Sequence, residues 1–133
     1  MISRVRQERI LKEGSEFFTI KLPAINAGDF AIYDIDTSTE LAAARKYKPL
    51  DFIEITNNDT IDVQVILNFQ DSFVVPKSVI KTITERPIYS IKVLNIGASA
   101  TTVDKIVLTL QRMALTTDQY VRKFTLGSRS IFP

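Results

Sequence analysis

The chain has 133 residues, of which 45% are hydrophobic and 24% charged, with a net charge of +2 and no cysteine, histidine or tryptophan. That length suits one domain with an ordinary core that needs no staples. The missing residue types exclude Ser-His-Asp and Cys-His catalysis, thiolate or imidazole zinc sites, disulfides and haem ligation by those groups, so no reaction, cofactor or bound metal is expected.

In chain order, residues 1–13 come first as a basic arm. Met1 to Lys12 mixes charged and apolar residues and lacks the apolar run of about 7–15 residues that a secretory signal requires. No later stretch reaches the roughly 20 apolar residues of a membrane span, and the chain is expected to be made soluble in the cytoplasm. Residues 14–112 then read as a sandwich domain. Ile, Val and Thr supply 40 of the 133 residues, and such β-branched side chains suit pleated surfaces.

Phe18, Ile20 and Leu22 share one face of a first strand, and Phe30–Ile35 and Phe52–Ile55 are apolar on parts of both faces. Between them, Thr37–Tyr47 is the one predicted helix. Thr37 and Glu40 have capping-box spacing, Ala42 to Ala44 favour helix, and Lys46 stands in the last turn before Pro49. Asn57-Asn58-Asp59 is predicted as a tight hairpin, because Asn and Asp tolerate the left-handed region and bond their own backbone. The clearest alternation follows: Ile61, Val63, Val65, Leu67 and Phe69 lie on one face and Asp62, Gln64 and Asn68 on the other, with Ile66 breaking the polar side. Pro76 and Pro87 bracket Lys77 to Arg86, an edge or bent segment, since proline lacks the N–H of a central ladder. Tyr89, Ile91 and Val93 share the next inward face. Asn95 to Ser99 reverses the chain, with Gly97 free to take positive φ, and Ile106, Leu108 and Leu110 form the last strand. The fold class is all-β: an antiparallel sandwich, jelly-roll or Ig-like, with one short helix and extended termini, its strand order left open.

Carboxylates supply no recognisable chemistry. Asp34 and Asp36 share a face, and Asn57, Asn58, Asp59 and Asp62 cluster near a turn, but the ordered loop of a calcium site with its terminal glutamate is missing, and turn chemistry explains both groups. The glycines stand far apart at 14, 28, 97 and 127, so no phosphate loop exists. Nucleic acid is not an expected partner, because the aromatic residues occupy core-type positions and the body is acidic. A sugar site would lack tryptophan and rely on Tyr33 or Tyr47, both equally placed for the core.

Charge is concentrated at the ends. Residues 1–12 carry Arg4, Arg6, Arg9 and Lys12 against Glu8, and 112–133 carry Arg112, Arg122, Lys123 and Arg129 against Asp118; with +2 overall, the body between is left at −4. The tail, 113–133, also sets Phe124, Ile131 and Phe132 among its polar residues. Exposed apolar groups mark interaction sites. The expected contact residues are therefore Arg4, Arg6, Arg9, Lys12, Arg122, Lys123, Phe124, Arg129, Ile131 and Phe132, reaching acidic neighbours. A membrane surface is reached only through the basic arm.

The runs Phe52–Asn68 (FIEITNNDTIDVQVILN), Val75–Ile83 (VPKSVIKTI) and Ile91–Leu108 (IKVLNIGASATTVDKIVL) resemble small β-sandwich virion structural proteins of the capsid, penton, turret or decoration type. In these an I-x-N-x-(S/D) hairpin, a V-P-x-x segment and an N-x-G-x-x-A-T turn precede the final strand. The resemblance covers about residues 50–111. It implies a non-enzymatic subunit of a virus or phage particle, located in the virion and bound to copies of itself and to other virion proteins. The alternative is a monomeric carbohydrate- or surface-binding module.

Overall fold

The computed structural model describes residues 14–113. Their strands are β1 (Phe18–Lys21), β2 (Phe30–Asp34), β3 (Leu50–Asn57), β4 (Val63–Leu67), β5 (Asp71–Val75), β6 (Val79–Ile88), β7 (Ser90–Asn95) and β8 (Ile106–Gln111), with a 3-10 helix at Thr39–Tyr47. They form two four-stranded sheets, ordered β1-β8-β3-β6 and β2-β7-β4-β5, antiparallel at every pairing. Eight strands in this interleaved order make a jelly roll and not an Ig-type sandwich, which divides seven strands differently.

Period-two alternation puts one side of every inner strand into a single core. Ile53 and Ile55 from β3, Leu108 and Leu110 from β8, Val63 and Val65 from β4 and Ile91 and Val93 from β7 are all but sealed from solvent. Each such side chain contributes about 1.5–3 kcal/mol relative to exposure. Phe18 and Ile20 lie inward from β1, with Leu22 buried just beyond it, and Ile106 completes the β8 face.

Two buried asparagines carry the chain from sheet to sheet. At the end of β3, Asn57 donates through Nδ2 to the carbonyls of Ile61 and Val75 and accepts from the Asp59 N–H through Oδ1. At the end of β7, Asn95 donates to the carbonyls of Ile25 and Ser99 and accepts from the Gly97 N–H. Each amide thus replaces the backbone partners that a strand loses when it leaves its sheet.

Several expectations are corrected here. Asn57-Asn58-Asp59 is not a hairpin, because β3 and β4 belong to different sheets. Gly97 does not take positive φ; glycine is required because a Cβ there would collide with Ile61 Cγ2. The strand that was to run to Phe69 stops at Leu67: Asn68 and Phe69 take φ of 55° and 61°, the Gln70 N–H donates to the Leu67 carbonyl, and Phe69 is 68% exposed. Asn68 drives this turn. Its amide donates to the Pro87 carbonyl at 2.7 Å and accepts from the Tyr89 N–H at 2.7 Å, and this pull between sheets outweighs the apolar alternation. Tyr89, expected inward, is 46% exposed at that same corner.

The predicted helix is 3-10 and begins at Thr39, with Ser38 at its N-cap and no side-chain cap. Thr37 and Glu40 form no capping box; instead Ser38 Oγ accepts from the Asp34 N–H. Arg45 holds the segment down by donating to the carbonyls of Ile35 and Ser38, while Leu41 and Ala44 are buried. The segment between the prolines is an edge strand, as expected. Its bend comes where three residues, Glu85 to Pro87, oppose Asp51 alone, with Glu85 at φ 63°, and proline is tolerated at such an edge irregularity.

Candidate interaction surfaces

The chain enters and leaves the sandwich at one place. The Ser15 N–H donates to the Arg112 carbonyl at 2.8 Å, and the Arg112 N–H donates to Ser15 Oγ. Ser15 and Arg112, near the two ends of the described residues, are thus side by side. Arg4, Arg6, Arg9, Lys12, Arg122, Lys123, Phe124, Arg129, Ile131 and Phe132 lie outside the described residues. Arg112, counted among the charges of the tail, is a body residue: only 8% exposed, it donates to the Pro49 carbonyl at 2.9 Å, with Nε 4.0 Å from Asp51 Oδ2.

The carboxylate clusters are turn devices. Asp59 accepts from the N–H groups of Thr60 and Thr102, Asp62 from that of Lys77, and Asp34 from that of Asp36. Asp36 pairs with Lys48 at 2.8 Å. Tyr33 and Tyr47, the sugar-stacking candidates, both serve the core: Tyr33 is buried, and Tyr47 packs on Phe18 with ring centroids 5.8 Å apart. Burial pushes the Tyr33 phenol above its usual pKa, and the Glu40 carboxylate adds to the rise.

The outer faces of the two sheets differ. Across β2-β7-β4-β5 one register row reads Phe30, Leu94, Gln64, Val74 and the next Ile32, Lys92, Ile66, Ser72. Phe30, Ile32 and Val74 are 48%, 44% and 47% exposed, with Leu94 and Ile66 half-buried between them. Lys92 lays its ammonium 4.2 Å from the Phe30 ring centroid, so the one cation of these rows caps an aromatic face. The other sheet turns outward the row Thr19, Thr109, Glu54, Thr82, flanked by Lys21, Val107, Thr56, Ile80 on one side and by Gln111, Phe52, Thr84 on the other. The Phe17 ring stands edge-on to Phe52 at 6.0 Å, so the apolar residues of this face are interspersed with threonines and charges. Sequence signals for the apolar face existed in the two-sided character of Phe30–Ile35 and in Ile66, but only the register brings these residues together.

A cleft of about 670 Å³ opens where β5 and β6, the edge strands of the two sheets, diverge. It is lined by Gln70 to Phe73 and by Lys81, Thr82, Ile83 and Arg86. Arg86 pairs with Asp71 at 3.3 Å, and the Lys81 ammonium stands 5.4 Å from the Phe73 ring centroid. A smaller cleft, about 310 Å³, lies among the loops at the opposite end beside Asp62, Lys77 and Gly97. No protein-family model matches this sequence, and no curated protein matches it.

Proposed function

We propose that this chain is a non-enzymatic structural subunit of a virus or phage particle, working through repeated contacts with copies of itself and with other virion proteins. The observation that carries the reading is the apolar outer face formed by Phe30, Ile32, Ile66, Leu94 and Val74 on a four-stranded sheet. A solitary antiparallel sandwich keeps its outer face polar, and a contiguous apolar one marks a contact surface. The jelly-roll order is used by viral capsid domains and by lectins alike, so the fold leaves both open and the surface argues between them. A sugar site is the weaker reading, because Tyr33 and Tyr47 are committed to the core and the Phe73 ring already faces Lys81.

The test is the native mass of the full-length chain by light scattering behind size exclusion at two concentrations. An oligomer is expected, and the variant Phe30→Ser/Ile32→Thr/Val74→Thr is expected to lower the mass with an unchanged circular dichroism spectrum. A monomer at both concentrations overturns the reading. Assignment to a particle is checked by mass spectrometry of purified particles from cells carrying the gene, where the chain should occur in many copies.

A further inference from the structure

The ten-residue β6 is the longest strand, yet among the described residues it is paired on one side only. Protein edges are usually blunted by being short, by proline, by bulges or by charge. Here Pro76 lies before the strand and the irregularity at Glu85–Pro87 comes at its end, while Val79 to Thr84 runs against β3 in unbroken register. Ile80 within that stretch is 61% exposed. Beside it, the cleft to β5 leaves Phe73 and Ile83 only partly covered.

We infer that the β6 edge pairs antiparallel with the β6 edge of a second copy, about a two-fold axis at Thr82, and that the joined strands close the cleft. The inference deepens the assembly reading and rests on it. Opposite residues of an antiparallel pair share a face, so the axis must pass through a residue position. Within the regular stretch Val79–Thr84 only Lys81 and Thr82 as centres let five residues pair, whereas Ile80 or Ile83 would leave three. Centred on Lys81, the pair would set two ammonium groups opposite each other, which is destabilising. Centred on Thr82, it sets Thr82 against Thr82, Ile80 against Thr84 and Lys81 against Ile83 of the second copy, with no like charges directly opposed. Glu85 of the second copy then falls one diagonal step from Lys81, within reach of a long side chain. Ile83 of the second copy takes the inward side of the added strand and covers the half-open Phe73. The chain's own residues 1–12 suit the slot less well, since Arg4, Arg6, Arg9 and Lys12 would bring cations against Lys81 and Arg86.

The cysteine-free sequence makes the test direct. Opposed Cα atoms in an antiparallel pair stand about 4.5–5.5 Å apart, within the span of a disulfide. Ile80 and its own copy would be displaced by about 13 Å along the strand, four residues at about 3.3 Å each. In the full-length chain under mild oxidation, Thr82→Cys should form covalent dimer in at least about tenfold higher yield than Ile80→Cys, Thr84→Cys or Thr19→Cys, because only the first meets the geometry. A mixture of Ile80→Cys and Thr84→Cys chains should form the mixed dimer. A nitroxide label on the same cysteines, which needs no bond geometry, should give its shortest distance at position 82. Equal yields at 82, 80 and 19, or no dimer at 82 with no short label distance, overturns the pairing. If the native mass still exceeds one chain in that case, the assembly reading stands without it; a monomer overturns both.

Discussion

Inward, both sheets contribute aliphatic side chains, Ile and Leu from β1-β8-β3-β6 and Val with Ile and Leu from β2-β7-β4-β5; outward, they differ in what they present. The sheet β2-β7-β4-β5 offers apolar side chains on its face, from Phe30 across to Val74, whereas β1-β8-β3-β6 has a threonine-rich row on its face and offers main chain at its β6 edge. A face contact gains from area removed from water and tolerates sliding; an edge contact is directional, since each hydrogen bond fixes a register. On the proposed reading, one domain with both would join neighbours in two directions.

The comparison breaks first in the core. If the sheets are equivalent inward, Leu108→Ala in one and Leu67→Ala in the other should each cost about 3–4 kcal/mol in urea unfolding, the range for a sealed leucine that leaves a cavity. A difference well beyond that would mean one sheet carries the fold. Next come the residues that hold the sheets together. Asn57→Ala strands the Ile61 and Val75 carbonyls and the Asp59 N–H, for an expected loss of about 2–3 kcal/mol. Gly97→Ala should cost about 1–3 kcal/mol through its collision with Ile61, and Ile61→Ala in the same chain should recover part of that loss.

Smaller effects sharpen the outward difference. Phe30→Ser with Ile32→Thr should move the denaturation midpoint little, by about 0.5 kcal/mol or less, while lowering the native mass; Thr19→Ser and Thr109→Ser on the other face should change neither. The smallest is alkaline. A phenol whose folded pKa is raised contributes stability that is present below the unfolded value near 10 and is lost as pH rises through the folded value. Tyr33→Phe should therefore leave neutral stability nearly unchanged and flatten the decline above about pH 10, measured by thermal unfolding across that range.

Alternation alone makes most of the core legible in the sequence: Phe18, Ile20, Leu22, Val63, Val65, Ile91, Val93, Ile106, Leu108 and Leu110 are all buried as their spacing requires. It fails at Phe69 and Tyr89, where Asn68 reaches 19 to 21 residues along the chain to the Pro87 carbonyl and the Tyr89 N–H and turns both aromatic rings outward. No local pattern encodes such a contact. The surfaces are less legible still. Basic ends point to residues outside 14–113, Arg112 is a buried anchor, and the apolar face is spread over β2, β7, β4 and β5, of which only β4 and β5 are neighbours in sequence.

What the sequence determined by itself is the all-β class and the inward face of most strands, because side-chain alternation is a property of each strand alone. Tertiary structure alone decided the order of the strands, the sheet crossings at Asn57 and Asn95, and which outward residues became neighbours. Those depend on which strands pair across long loops, and a register that aligns Phe30 with Leu94, Gln64 and Val74 exists only once β2, β7, β4 and β5 lie side by side.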